Sequence, residues 1–421
     1  MTQRYLMLVL ADAQHNNNKF YELRMEENGD VHVRYGRVDG GEQKAIKGNG
    51  SHVFERVARE KKAKGYKEVD VVLKDDSGKA KKSLSEVAKR DVVGNDPVLA
   101  ALIERLIAIN RHELMAASGG RITIVDGQVR TPVGLITMAN VTSAKNVLAD
   151  IQKLVETRKS SSPKYTDLLN QYLTLVPQKV PRAAGWGPSF FDNFTSFQRQ
   201  SDLLEQLEAS ISALDTAPKD ENEEKIPDER LFAYSIKPVQ DKKIIKKVEE
   251  FYRSQINARH VSSKLRLKAV YELVNPEAHA RYAQAKKRVG NEMRLWHGTR
   301  ACNLLSIFKS GLIIPRTAGG NFTISGRMFG DGLYFSDQST KSLNYSYGFW
   351  GHGGYDSNCF MFLCDVAMGK VYTPSHSGNA KKAGYDSCFA KAGHSGVQNN
   401  EMIVYDIDQA ALRYLCEFEE A

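Results

Sequence analysis

The stretch that decides the fold runs from residue 295 to residue 345. It opens with Leu-Trp-His-Gly-Thr (295–299), continues through Met-Phe-Gly-Asp-Gly-Leu-Tyr-Phe-Ser (328–336) and ends in Lys-Ser-Leu-Asn-Tyr (341–345). The first two segments contain short apolar runs bordered by glycine, a pattern that predicts strands with turns beside them. Glycine also lets the backbone come close to a ligand, because no Cβ stands in the way.

A third run of this kind, Asn-Glu-Met-Ile-Val-Tyr-Asp (400–406), lies near the C-terminal end of the sequence. Its branched and aromatic residues predict another strand, and that strand opens with a carboxylate. Three predicted strands therefore each carry one polar or aromatic group suited to a pocket. These groups are His297, Tyr334 and Glu401.

The four segments, in this order, resemble the active site of the poly(ADP-ribose) polymerase family, which is built from a His-Tyr-Glu set on three strands. The resemblance implies that His297, Tyr334 and Glu401 are catalytic, that NAD+ is the substrate, and that no metal is needed. Transfer of ADP-ribose breaks a glycosidic bond through an oxocarbenium-like transition state. A carboxylate at Glu401 would offset the charge that develops at the reacting carbon and polarise the acceptor hydroxyl.

The resemblance also implies a set of NAD+-binding residues: His297, Gly298, Thr299, Ser306, Tyr334, Ser342 and Tyr345. In this reading His297 binds a ribose hydroxyl, while Gly298 and Ser342 pair with the carboxamide. Tyr345 and Tyr334 stack on the nicotinamide ring from its two sides.

Two positions depart from the family pattern. Ser306 stands where the family often has glycine, and Ile313 stands where it often has arginine. Whether Arg316 substitutes for that arginine stays open, so the adenosine end of the site is less well defined than the nicotinamide end. The segment between Val371 and Val397 is short for an acceptor-side loop, which leaves product length and branching open.

Composition narrows the class of protein. The chain has 421 residues with 42% hydrophobic content, enough for roughly two to four domains with their own cores. Its net charge of +9 suggests an anionic partner, although a solvated basic surface explains the charge equally well. The five cysteines form no Cys-x-x-Cys pair or zinc-type cluster, so we expect reduced thiols and no metal.

Other classes of protein are disfavoured by absent patterns. No apolar run approaches the roughly 18 residues of a membrane span, and the N-terminal apolar run is too short for a secretory signal. No Gly-x-Gly-x-x-Gly follows a predicted strand, which argues against a dinucleotide-binding redox enzyme. We therefore expect an intracellular protein, in the nucleus of a eukaryote or the cytoplasm of a bacterium.

Residues 1–75 predict a small sheet with one helix. Three apolar or alternating runs are followed by a helical pattern for which Ser51 is the predicted N-cap, and Asn28-Gly29 predicts a hairpin turn. Tyr35-Gly36-Arg37 resembles the motif of the WGR domain, with tyrosine in place of tryptophan. That resemblance implies a DNA-binding role for Tyr35 and Arg37 at ends or nicks carrying a 5′ phosphate. A strand tyrosine packed beside a surface arginine is an equally good reading.

The remaining chain divides into four parts. Residues 76–93 predict a charged linker, residues 94–215 predict a helical bundle, and residues 216–229 predict an acidic linker. Within the bundle, helices are predicted from Pro97, after Thr142-Ser143, around residues 165–173 and from Phe194. The bundle resembles the regulatory domain of DNA-dependent polymerases in the family, although a purely structural role is also possible. Residues 230–421 would then form the catalytic domain.

The sequence therefore predicts a multidomain α+β protein: a WGR domain, an all-α regulatory bundle, and a mixed α+β transferase domain with antiparallel sheets. The predicted function is DNA-break-stimulated transfer of ADP-ribose to proteins, the chain itself included, with polymer elongation. A monomer without zinc fingers is expected, so DNA sensing would fall to the WGR domain. The alternatives are a mono-ADP-ribosyltransferase and a DNA-end-binding scaffold with weak catalysis.

Overall fold

A computed structural model describes residues 2–69, 84–94, 96–117, 120, 122–125, 128–183, 185–191, 194–215, 230–314, 328–348, 357–378 and 381–420. The chain forms two compact units. The first consists of Met1–Ser83 and Arg111–Pro218, and the second of Leu84–Asn110 and Lys219–Ala421. Within the described ranges, no helix is both long enough and apolar enough to cross a membrane.

Strands and helices of the first half follow in chain order: β1 (Thr2–Asp12), β2 (Asn17–Glu26), β3 (Asp30–Arg37), β4 (Glu42–Asn49), α1 (Ser51–Ala63), β5 (Lys67–Val69), α2 (Leu84–Val93), α3 (Pro97–Ala117), β6 (Thr123–Val125), β7 (Gln128–Thr131), β8 (Gly134–Leu135), α4 (Met138–Glu156), α5 (Pro163–Leu175) and α6 (Phe194–Asp215).

Strands and helices of the second half are β9 (Ser235–Pro238), α7 (Lys242–Arg253), β10 (Leu265–Val274), α8 (Pro276–Val289), β11 (Glu292–Gly298), α9 (Leu304–Ser310), β12 (Leu333–Phe335), α10 (Ser339–Tyr347), β13 (Cys359–Ala367), β14 (Val371–Tyr372), β15 (Ser387–Ala390), β16 (Glu401–Val404) and β17 (Ala410–Glu420).

The first unit begins with a five-stranded antiparallel sheet in the order β4-β3-β2-β1-β5. The predicted hairpin turn is present, and Gly29 has the positive φ of 86° that such a turn requires. Helix α1 packs on the sheet through Val53, Phe54 and Val57, the face that the sequence pattern predicted. Its N-cap is Gly50, so Ser51 is the first helical residue and not the cap.

The motif glycine Gly36 is required by a close approach between β3 and the turn before β4. A Cβ at this position would lie 2.3 Å from the carbonyl oxygen of Gly41, much closer than any real contact. Because φ at Gly36 is not positive, space and not backbone conformation excludes a larger residue. Packing therefore explains why the middle residue of Tyr35-Gly36-Arg37 is glycine.

The rest of the first unit is built mainly from α4, α5 and α6, which share one buried core with the aromatic side chains Trp186 and Phe191. Helix α4 begins at Met138 behind a capping box made by Thr137 and Asn140, and not after Thr142-Ser143 as the sequence predicted. Strands β6, β7 and β8 form a small antiparallel sheet that an all-α bundle does not include.

The second unit combines two sheets with α2 and the first part of α3. A five-stranded sheet has the order β11-β13-β17-β10-β9, and a four-stranded sheet has the order β12-β16-β15-β14. All neighbours are antiparallel except β14 and β15. Residues 84–93 differ from the predicted linker, because they form a helix whose apolar face is buried in the core of the second unit.

Candidate active site

The two sheets of the second unit meet at one pair of residues, and this junction builds the site. Trp296 of β11 and Ser336, just after β12, exchange two backbone hydrogen bonds of 3.0 Å. Strand β12 pairs in turn with β16, where Phe335 faces Met402. Continuing that register by one residue places Glu401 opposite Ser336. The strands that carry His297, Tyr334 and Glu401 are therefore consecutive neighbours.

The imidazole of His297 is fixed by a backbone contact. Its Nδ1 lies 2.9 Å from the carbonyl oxygen of Tyr334, which can only accept, so Nδ1 carries the proton. Burial lowers the pKa of His297, against the opposing effect of that hydrogen bond. The ring is therefore held neutral with Nε2 as an acceptor, which suits it to accept a hydrogen bond from a hydroxyl group.

Gly298 lies against the backbone of α10. A Cβ at this position would sit 1.7 Å from the carbonyl oxygen of Ser342, so no other residue fits while the helix stays in place. The Ser342 side chain is buried, and its hydroxyl donates to the carbonyl oxygen of Trp296 at 3.1 Å. β11 and α10 are thus in direct backbone contact at Gly298.

Helix α10 carries three of the site's side chains. Tyr345 lies four residues after Lys341 and three after Ser342, so it neighbours each of them on the helix surface. The Lys341 ammonium lies 2.7 Å from Glu401 Oε1, and only 9% and 14% of the two side chains are exposed. Burial lowers the pKa of Lys341, and the pairing with Glu401 opposes that effect. This buried ion pair fixes the direction of the Glu401 carboxylate.

The two predicted stacking tyrosines differ in their surroundings. The Tyr334 hydroxyl accepts from the backbone N–H of Phe329 at 3.0 Å and donates to the carbonyl oxygen of Gly330 at 2.8 Å. These bonds anchor the turn before β12 and leave the ring as the part that can face a ligand. Tyr345 is 38% exposed, and partial burial together with the Glu401 carboxylate raises its pKa to about 12.

A network beside Glu401 was not predicted from the sequence. The Ser336 hydroxyl donates to the carbonyl oxygen of Asn400 at 3.1 Å, and the Asn400 amide donates to Asp337 at 2.8 Å. The backbone N–H of Ala392 donates to the same Asn400 side chain at 2.9 Å. Asn400, the residue before Glu401, therefore links the segment after β12 to the loop after β15.

The remaining predicted NAD+-binding residues follow β11. The Thr299 hydroxyl accepts from the Asn303 amide at 3.2 Å, and Ser306 lies in α9, where it is half-buried. Their roles stay predictions. Arg316, the proposed substitute for the family arginine, lies outside the described residues. In the parts of the chain that the structure describes, no cluster of three or more potential metal ligands occurs.

In the first unit, the two predicted DNA-binding residues have different surroundings. Arg37 pairs with Asp39 at 2.9 Å and donates to the carbonyl oxygen of Asn16 at 2.9 Å, so it clamps the turn between β1 and β2. The ring of Tyr35 stacks on Tyr21, with centroids 5.3 Å apart. Arg37 therefore has a structural task, while Tyr35 belongs to an aromatic surface.

A lysine joins these rings in a group that we call the tyrosine–lysine cluster: Tyr21, Tyr35, Tyr66 and Lys61. Tyr21 is buried, and the other three side chains are partly exposed. The Lys61 ammonium lies 4.0 Å from the centre of the Tyr21 ring and 5.7 Å from that of Tyr66. Partial burial lowers the pKa of Lys61, and the nearby positive charges of Lys64 and Lys47 lower it further. A bound phosphate would relieve that repulsion.

Comparison with known families covers nearly the whole chain. The WGR domain model matches residues 4–71, the poly(ADP-ribose) polymerase regulatory domain model matches residues 106–230, and the catalytic domain model of the same family matches residues 242–420. Protein 100L of invertebrate iridescent virus 6, described as poly(ADP-ribose) polymerase-like, is 33% identical over 132 residues, which cover 29% of this chain and 67% of the viral protein. The chain belongs to the poly(ADP-ribose) polymerase family.

Longer members of the poly(ADP-ribose) polymerase family match at lower identity. Poly(ADP-ribose) polymerase 1 of Arabidopsis thaliana is 26% identical over 330 residues, and that of Gallus gallus is 25% identical over 330 residues. These matches cover 68% and 69% of this chain but 31% of each relative. The chain thus spans about a third of the length of these curated relatives, with the three-domain order that the sequence predicted.

Proposed function

We propose that this chain is an ADP-ribosyltransferase that takes NAD+ as its substrate, releases nicotinamide and modifies proteins, itself included. The observation that carries the proposal is the buried Lys341–Glu401 pair at the junction of two sheets. It fixes a carboxylate at the start of β16, while the imidazole of His297 on β11 is oriented by its Nδ1 contact with the carbonyl oxygen of Tyr334. The contact between Gly298 and α10 supports the proposal, since it holds β11 directly against the helix that carries Lys341 and Ser342.

Each side chain then has a physical task during transfer. His297 Nε2 accepts from a ribose hydroxyl and fixes the pose of the substrate, and the rings of Tyr345 and Tyr334 stack on the nicotinamide. The Glu401 carboxylate stabilises positive charge that develops on the ribose, because a preorganised charge needs no reorganisation during the reaction. Glu401 also orients the acceptor hydroxyl, which serves both the first transfer and elongation of the chain.

We further propose that broken DNA stimulates the transfer and that the product is extended to poly(ADP-ribose). The match of residues 4–71 to the WGR domain supports a DNA-binding role for the first unit. The tyrosine–lysine cluster supports it in chemical terms, since aromatic faces can stack on a terminal base while ammonium groups neutralise phosphates. Tyr35 contributes to this surface directly, and Arg37 supports it by holding the neighbouring turn.

Automodification with labelled NAD+ tests the function as a whole. The protein is incubated with and without a short duplex that carries a 5′-phosphorylated break, and the products are resolved on a gel. A DNA-dependent ladder supports transfer, elongation and stimulation together. One sharp modified band indicates mono-ADP-ribosylation, which the short segment between Val371 and Val397 would favour. An unlabelled protein that nevertheless binds NAD+ contradicts the enzymatic proposal.

Reversal of the charges of Lys61, in the tyrosine–lysine cluster, and of its neighbour Lys64 should remove the response to DNA. For Lys61→Glu combined with Lys64→Glu, we expect DNA-stimulated turnover to fall about tenfold or more, with unchanged turnover in the absence of DNA. The plot of log affinity for DNA against log salt concentration should become less steep, by the amount expected for the loss of about two phosphate contacts. Lys159→Glu with Lys164→Glu is the matched control, because both lysines are exposed on the same unit. Equal stimulation of the cluster variant and the control would place the DNA site elsewhere.

Loss of the cation beside Glu401 should slow transfer without weakening NAD+ binding to the same extent. For Lys341→Met we expect kcat to fall at least about tenfold and KM for NAD+ to change less than about threefold. Lys341→Arg retains the positive charge and should recover part of the rate. Circular dichroism melting distinguishes this effect from unfolding, since removing one partner of a buried pair costs about 3–5 kcal/mol.

The same pair predicts a pH dependence. Because burial lowers the pKa of Lys341, the side chain loses its proton as pH rises toward 10.5 and before an ordinary lysine would. Wild-type activity should therefore decline on the alkaline side of the profile, whereas Lys341→Arg should keep its activity over that range. If activity declined over the same alkaline pH range in the wild type and in Lys341→Arg, a group other than Lys341 would be responsible for the decline.

A further inference from the structure

Helix α10, which carries Lys341, has no side-chain cap at its N-terminus. Gln338 stands at the N-cap position, and its side chain makes no capping hydrogen bond. The start of a helix leaves backbone N–H groups without intrahelical partners, so the first turn needs another source of support. The end of α7 and the connection after it supply that support. The Ser339 backbone N–H donates to the carbonyl oxygen of Gln255 at 3.1 Å, and the Ser339 hydroxyl donates to that of Tyr252 at 2.8 Å.

Thr340, the next residue of α10, is the centre of this contact. Its buried hydroxyl accepts from the backbone N–H of Asn257 at 2.9 Å and lies 2.9 Å from Nδ1 of His260. The Ser262 hydroxyl donates to the carbonyl oxygen of Thr340 at 3.0 Å, and the Ser262 backbone N–H donates to the Asn344 side chain at 3.3 Å. The connection between α7 and β10 thus holds the first turn of α10, with His260 as the side-chain partner of the Thr340 hydroxyl.

The surroundings of His260 place it beside the Lys341–Glu401 pair. His260 is half-buried, and this burial lowers the pKa of its imidazole. The nearby Asn399 side chain, which can accept a hydrogen bond from the ring, opposes that effect, while the positive charge of Lys341 lowers the pKa further. The imidazole is therefore neutral near pH 7. It lies near Lys341 on one side and near Asn399, two residues before Glu401, on the other.

We infer that His260 is a positioning residue for ADP-ribose transfer: by holding Thr340, it fixes the first turn of α10 and thereby the Lys341–Glu401 pair. This inference rests on the proposed function. Lys341 follows Thr340 directly, so a shift of the first turn moves the ammonium relative to the carboxylate. A buried ion pair depends on good geometry, because attraction must offset the loss of water from both charges. His260 acts through Lys341 in this role and needs no contact with NAD+.

Steady-state kinetics test this role. For His260→Ala we expect kcat to fall about five- to tenfold, the size of effect that loss of one hydrogen bond can have, while KM for NAD+ changes less than about twofold. His260→Asn places an amide near the position of Nδ1, so it should recover much of the lost rate. His279→Ala is the matched control, because His279 is also half-buried in the second unit and its Nε2 lies 3.1 Å from the carbonyl oxygen of Leu412. The control should keep the kcat of the wild type.

Combined substitutions show whether His260 acts through α10. In a Lys341→Met background, His260→Ala should lower kcat by less than about a further twofold, because residues that act through one contact have non-additive effects. The same result is expected in a Thr340→Val background, which lacks the hydroxyl but keeps the shape of the side chain. Losses that multiply independently in either background overturn the inference.

Chemical labelling of Lys341 tests the positioning without catalysis. The full chain receives a short pulse of an amine-reactive ester in the absence of NAD+, and the label on each lysine is measured by mass spectrometry. The Lys341 side chain is 9% exposed, so its labelling in the wild type should be slow. In His260→Ala it should become about threefold faster or more, because loss of the contact raises the population of locally open states. The exposed Lys159 of the first unit is the internal standard and should label equally in all variants.

Labelling of Lys341 at the wild-type rate in His260→Ala overturns the inference, and so does an equal increase in His279→Ala. Absence of all NAD+ turnover in the wild type contradicts the proposed function instead. The labelling result then still decides whether His260 holds Lys341 in place, so the two failures can be told apart.

Discussion

Glu401→Gln is expected to lower the rate of ADP-ribose transfer by about 10²- to 10³-fold and to abolish polymer elongation. Loss of one preorganised charge at a reacting centre has effects of this size. Glutamine keeps the shape of the side chain and one acceptor oxygen, so the contacts that hold NAD+ are retained. The affinity for NAD+ should therefore change less than about threefold. Initial rates with labelled NAD+, together with calorimetric titration of a non-hydrolysable NAD+ analogue, measure the two quantities.

The control for this substitution is another glutamate in an ion pair. Glu420 lies 2.8 Å from Lys264 at the end of β17, where both side chains are largely exposed. Glu420→Gln should change activity far less than Glu401→Gln, because exposed pairs contribute little and glutamine keeps an acceptor oxygen for the Tyr347 hydroxyl of α10. The melting temperature of Glu401→Gln must also be measured, since Lys341 loses its counter-charge. A folded variant that still makes long polymer would remove Glu401 from its assigned role.

Long periodic elements of the fold could be predicted from the sequence. The helices that begin at Pro97 and Phe194 occur where the pattern placed them. Regular alternation or three- and four-residue spacing survives in these segments because one face packs on a core. The fold class, with its three kinds of domain, is confirmed by the same elements.

Short elements were missed for physical reasons. Strands β6, β7 and β8 have three, four and two residues, too few for alternation to be read. Helix α2 follows a charged stretch, and its apolar face is buried only because α3 and the catalytic core pack against it. The start of α4 was placed too late, because Thr142 and Ser143 are good cap residues by type while Thr137 performs the capping.

In the candidate site, too, some residues could be identified from the local sequence, whereas others are brought to the site only by the fold. His297, Tyr334 and Glu401 stood out because each interrupts an apolar run beside glycine or a turn. Lys341 did not, since a lysine in a polar segment ordinarily indicates a solvated surface. Only the approach of α10 to the start of β16 buries it against Glu401. The Asn400 network depends in the same way on register between distant strands.

Gly298→Ala is expected to disturb the site about as strongly as Glu401→Gln, but by a steric clash and not by a change of charge. The new Cβ would lie 1.7 Å from the carbonyl oxygen of Ser342 and 2.5 Å from its carbonyl carbon. Neither atom belongs to a flexible side chain, so β11 or α10 must move. Forced insertion of a methyl group into packed structure costs about 1–3 kcal/mol. The displaced helix also carries Lys341 and Tyr345, so the variant should lose both substrate contacts and the orientation of Glu401.

We therefore expect the affinity of Gly298→Ala for NAD+ to fall about 10²-fold, the equivalent of one or two lost hydrogen bonds to a buried partner. Gly41→Ala is the matched control, since a Cβ there meets nothing within 4 Å. NAD+ titration and thermal melting of both variants measure the outcome. If Gly298→Ala bound NAD+ as the wild type does, the carboxamide would have to be held elsewhere. A fall in affinity with a modest loss of stability would instead indicate that the contact between Gly298 and α10 shapes the nicotinamide end of the site.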